Sequence, residues 1–180
     1  MTELAIAALI LAGVLFAWFG WLAVAPQSAA AALLRFPRHR VAGIVLAAAA
    51  LTWSGWMLYC MPMESLERFK PWLFVLTPAS IVLVSIFMDD LLAPRALGGL
   101  FSLAPVLLLD AARFHPSPWS LLVKIIAYAM VIKGMALLLS PYLFRRMAML
   151  VTASPRRTRL LGCCGLGIAA VLVTLALTVY

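Results

Sequence analysis

Residues 118 to 140 read PWSLLVKIIAYAMVIKGMALLLS, an apolar run with Lys124 and Lys133 set inside it. A helix needs about 20 apolar residues to cross a bilayer, so the run is long enough. An ammonium group at the bilayer centre costs on the order of 3 kcal/mol even on the insertion scale. This span therefore has to be packed among others. The two lysines are nine positions apart, which at about 100° per residue puts them on opposite helix faces, so they do not form one basic pocket. Each lies within about two turns of a helix end, where a long side chain can snorkel toward water. The expected partners are Asp110 for Lys124 at one end, and Asp89 or Asp90 for Lys133 at the other. The rival reading is a substrate or proton site, because charges inside a membrane are functional candidates.

Working outward, the rest of the chain has the same character. Of its 180 residues 66% are hydrophobic and 11% charged, and the mean hydropathy is +1.10. A soluble domain of this length needs far more polar surface. The expectation is one all-α integral membrane domain, residues 1–180, with six spans at about 4–25, 41–61, 71–88, 91–110, 118–140 and 160–180. Pro78 and Pro105 are expected to interrupt the third and fourth spans, since each removes a helix hydrogen bond. The first run lacks a basic start and carries Glu3, so it reads as a retained span and not as a cleaved signal.

The net charge of +8 does not point to nucleic acid, because the basic residues sit in short breaks between apolar spans and not on a polar module. They set orientation instead. Residues 26–40 carry +3, 89–95 carry −1 and 141–159 carry +5, whereas Glu3, residues 64–70 and residues 110–113 together carry −1. The positive-inside rule then places the first set in the cytoplasm and both termini outside. Trp53, Trp56, Tyr59, Trp72, Trp119 and Tyr180 fall near the outer ends of spans, where amphipathic rings favour the interface.

Each cytoplasmic break holds Pro-Arg shortly before a glycine that opens the returning span: Pro37-Arg38 before Gly43, Pro94-Arg95 before Gly98, Pro155-Arg156 before Gly162. This predicts three helical hairpins, about 1–61, 71–110 and 118–180, with an internal repeat between the first and third. In both of those, Gly-x(5-6)-Pro leads into a semi-apolar stretch and a basic turn. In that plan they resemble small two-helix inner-membrane proteins of bacteria, a resemblance that implies a bacterial-type cytoplasmic membrane and no particular function. The stretch Tyr142 to Thr152 sets Arg145 and Arg146 beside Leu143, Phe144, Met147 and Leu150 at helical spacing, which suits a helix lying in the headgroup region. With Arg156, Arg157 and Arg159 it would attract anionic lipid. Gln27 to Phe36 is a milder version.

The returning spans are rich in small residues four apart, Gly43 and Ala47, Ala50 and Ser54, Gly165 and Ala169. That spacing lets membrane helices approach closely, either inside the molecule or against another protein. For chemistry there is little. Cys60, Cys163 and Cys164 lack metal-ligand spacing. His39 and His115 fall on opposite faces, so they do not make a two-imidazole haem site, although single-ligand contact with a pigment or haem stays open. No nucleophile, base and orienting acid stand together, and no cofactor or metal is expected. The expectation is a scaffold or accessory subunit that binds other membrane-protein subunits and catalyses nothing. The alternative is a small-solute or ion transporter or channel built on the proline-interrupted spans and the intramembrane lysines.

Overall fold

The computed structural model describes residues 2–62, 64–88, 91–113 and 117–180. Among them every element is helical: α1 Glu3–Val24, α2 Pro26–Arg35, α3 Arg40–Cys60, α4 Leu73–Phe87, α5 Leu92–Ala112, α6 Ser120–Leu139, α7 Tyr142–Val151 and α8 Pro155–Thr178, with 3-10 turns at Phe36–Arg38 and Glu64–Trp72. Six helices are long and apolar enough to cross a membrane, the third being the continuous stretch Glu67–Phe87. They match the apolar runs to within a few residues except at α8, which begins at Pro155 and not near 160. The reason is local. Ser154 accepts a hydrogen bond from the Arg157 N–H at 3.3 Å and Pro155 takes the first helical position, a start signature stronger than the arginines that follow. Thr2 caps α1 in the same way, accepting from the Ala5 N–H at 3.2 Å.

One expectation about helix continuity needs correction. α4 and α5 run through Pro78 and Pro105 without interruption, because apolar residues on both sides sustain the helix and each proline deletes only one ladder bond. Residues 26–35 form a short helix where the milder interfacial stretch was expected, with proline at its first position and a buried Ala29. The chain enters α5 through Leu91, a non-glycine residue held at φ 58° and ψ 27°, a left-handed conformation that costs about 1–2 kcal/mol.

The long helices pair both along the sequence, α3 with α4 and α5 with α6, and across it, α1 with α8 and α3 with α5. α1 lies antiparallel along α8, α5 lies antiparallel along α6, and α3 runs parallel to α5 while holding α4 on its other side. Thus, among the described residues, α1 packs mainly on α8, and α6 packs mainly on α5. The order long helix, ten-residue helix, long helix occurs in both 1–61 and 118–180, but neither pair of long helices closes on itself. The main core joins α1, α5, α6 and α8 through Leu4, Ala8, Leu11, Leu108, Ala112, Val123, Ala127, Leu172 and Ala176. A smaller one joins α3 and α5 through Ala47, Leu92 and Ala96.

The seam between α5 and α6 needs glycine on both sides. A Cβ on Gly98 would sit 2.8 Å from the Gly134 carbonyl oxygen, and one on Gly134 would sit 2.7 Å from the Gly98 carbonyl oxygen. Neither backbone has room to yield, so the contact between α5 and α6 exists only because both positions lack a side chain.

Candidate functional site

The arginines gather at one end of the bundle. α2 lies beside α7, and Phe36 meets Phe144 with ring centroids 5.3 Å apart, so the two short helices form one shelf across that end. Arg35, Arg38, Arg40, Arg145, Arg146, Arg156, Arg157 and Arg159 are all exposed there. Thr158 fixes the geometry from beneath. It is 1% exposed, and its hydroxyl donates to the Val151 carbonyl at 3.0 Å, which ties the end of α7 to the first turn of α8.

Within the shelf lies a cleft of about 480 Å³, lined by Ser28, Ala31, Ala32, Arg35, Phe36, His39 and Ala42. It follows from the sequence of α2, where positions 28, 31, 32 and 35 share a face at helical spacing. The Ser28 hydroxyl donates to the Ala25 carbonyl at 3.0 Å. His39 Nδ1 accepts the Ala42 N–H at 3.2 Å, capping α3, which leaves the ring hydrogen on Nε2. The lining contains no carboxylate. What it can do chemically is hold an anion.

A second feature is Arg95, in the first turn of α5. It is half-buried, and its Nε is buried without a hydrogen-bond partner. Gly99 faces Ala50 on α3 and Gly98 faces Gly134 on α6. Arg95 lies about 40° from the first and about 60° from the second around the helix, so it sits on the arc between α3 and α6. From the sequence Arg95 reads as a loop charge within the repeated Pro-Arg break. Its signal was its position directly after Pro94, which starts helices more readily than it prolongs loops.

The lysine pairs require a different account. No ion pair joins Lys124 to Asp110 among the described residues, where Lys70 to Glu67 at 3.4 Å is the salt bridge formed. The two helices bring them to a similar level, but Leu108 and Ala112 face the core, and Asp110 lies about 200° round from Leu108. Asp110 therefore points outward and is exposed. Lys133 is exposed and Lys124 half-buried. Asp89 and Asp90, the expected partners of Lys133, and His115 lie outside the described residues.

Most of the small-residue positions are used inside the molecule. Gly43 faces Leu92 and Ala93 of α5, and Ala50 faces Gly99. Ala47 and Ala169 are buried, and Gly162 and Gly165 meet Ala23 and the Phe19 ring of α1. At the end opposite the arginines, Trp56, Tyr59 and Phe74 form a chain of ring contacts, with Lys70 Nζ 6.0 Å from the Tyr59 ring centre. There the Tyr180 hydroxyl donates to the Trp119 carbonyl at 2.6 Å, and burial raises the phenol above its ordinary pKa. The three cysteines are free and exposed. No group of three or more metal-ligating side chains stands together among the described residues. Compared with protein families, with curated proteins and with solved structures, the chain matches none.

Proposed function

We propose that the chain is a multi-pass scaffold or accessory subunit of a membrane complex, packing against partner proteins and carrying no catalytic activity of its own. The observation that carries this reading is how unevenly the helices are covered. None of the residues in α4 is buried. Phe74, Val75, Leu76, Val82, Leu83, Ile86 and Phe87 are each more than half exposed, and α3 is the long helix that holds α4. Lipid offers such a face no hydrophobic drive toward its own bundle, so shape-matched packing decides what it joins. A second polypeptide is the natural complement. The same proposal places the arginine-bearing end in the cytoplasm of a bacterial-type inner membrane, both termini outside, anionic lipid under the shelf, and a repeat relating residues 1–61 to 118–180.

The interior suits a scaffold better than a pathway. The core clusters are apolar, and the buried polar side chains among the described residues, Ser120 and Thr158, stand at opposite ends of the bundle. Isolation in mild detergent tests the proposal. The chain is expected to travel with a stoichiometric membrane polypeptide that Leu83→Arg releases without unfolding the bundle. Migration as a lone chain, unchanged by that substitution, would contradict it.

A second reading, transport of a small anion, is favoured by one observation, the unpaired Arg95 Nε between α3 and α6. It predicts a flux in reconstituted vesicles that Arg95→Gln abolishes while helicity and assembly stay intact.

A further inference from the structure

We infer that the cleft between α2 and the start of α3 is a binding site for one anionic phospholipid, with its phosphate on Arg35 and His39 and its chains along the uncovered apolar side of α3. The inference rests on the membrane reading above and gives one position on the shelf a specific ligand.

Three observations carry it. The first is concavity. Seven arginines stand on the outside of the shelf, whereas Arg35 lines a cleft of about 480 Å³, a volume within the range of roughly 300–1,000 Å³ that small ligands occupy. The second is the donor set. Ser28 has already given its hydroxyl hydrogen to Ala25 and His39 Nδ1 is occupied by Ala42, so the donors left for a ligand are the Arg35 guanidinium and His39 Nε2–H. With no carboxylate in the lining, these suit a phosphate oxygen pair, which a guanidinium meets with two parallel hydrogen bonds. The third is what lies below. Ala42 lines the cleft, and Val41 and Val45, on the adjoining side of α3, are 65% and 62% exposed. Gly43 turns the opposite face of α3 onto α5. An acyl chain therefore finds an uncovered apolar track beginning at the headgroup cleft. A free phosphate ion would use the donors and leave this track bare.

The test uses the full chain in a neutral detergent, with bound lipid counted by native mass spectrometry. One phosphatidylglycerol should be retained about fivefold better than phosphatidylcholine, the scale expected of the single Arg35 charge. Arg35→Gln with His39→Gln should abolish that preference, as should Ala32→Phe, which fills the cleft without changing charge. Arg156→Gln with Arg157→Gln, which removes charge on the outer shelf, should leave the retained lipid in place. Equal loss in the inner and outer pairs would show a diffuse field and overturn the site. So would full displacement by inorganic phosphate, which would assign the donors to a soluble ion. Extraction of the chain from membranes by alkaline carbonate would remove the membrane reading itself, a failure distinct from loss of the cleft.

Discussion

α5 and α4 are neighbours in the chain and opposites in the structure. α5 is covered by α3, α6 and α1, with Gly98 and Gly99 pressed against two different helices. α4 meets its bundle along a stripe near Thr77 and Val84 and leaves the rest uncovered. The two helices are of similar apolarity, with mean hydropathy of 1.7 for the span containing α4 and 1.6 for α5. Hydrophobicity therefore does not decide which of them becomes the centre. Absence of side chains does, since backbones that approach closely gain dispersion contacts that lipid cannot match.

The sharpest way to break this contrast is to fill the α5–α6 seam. Gly134→Leu is expected to destabilise the bundle by about 3 kcal/mol or more, because the new side chain meets the Gly98 backbone and the Ser102 hydroxyl, which have no free space to move into. Resistance to unfolding in a denaturing detergent measures it. A tolerated Gly134→Leu would mean that the seam is not what centres α5. Next in size is Thr158→Val, which takes the buried Thr158 hydroxyl from the Val151 carbonyl and should cost about 1 kcal/mol. It should also loosen α7, read as faster proteolysis near Thr152. On α4 the expectation reverses. Val82→Ala, at an exposed position of α4, should change stability by less than about 0.5 kcal/mol.

A comparably small effect concerns the hydrogen bond from Tyr180 to Trp119. Burial raises the folded phenol above its ordinary value, so in the unfolded chain it ionises first, near pH 10. The contribution is therefore complete below about pH 10 and fades as pH rises through the folded value. Tyr180→Phe should remove this contribution at neutral pH, a loss of about 0.5 kcal/mol for an exposed hydrogen bond, and with it the fall in stability above about pH 10.

The long helices were legible because each is an apolar run of span length, and α7 because Arg145 and Arg146 interrupt a helical apolar stripe. Partner choice was not legible. Gly43, Ala47, Gly165 and Ala169 announce a close approach by their spacing, but spacing does not name the helix that approaches. Gly134 has Met130 and Leu138 four positions away and carries no small-residue pattern at all. The expected bond between Lys124 and Asp110 failed for a related reason. Distance along a loop fixes the level at which two charges lie and says nothing of the direction in which each points. The cleft around Arg35 and His39 depends on α2 folding back beside α7, a contact between residues more than a hundred positions apart, and no local signal carries that.

The claim that α4 is the open flank meets its most direct test in site-resolved photocrosslinking in intact membranes. A photoreactive residue at Val82 or Ile86 of α4, compared with one at Leu160 of α8, which is equally exposed, separates protein neighbours from lipid. The account predicts a discrete crosslinked polypeptide from both α4 positions and lipid adducts from Leu160. Lipid adducts alone from all three positions would contradict it.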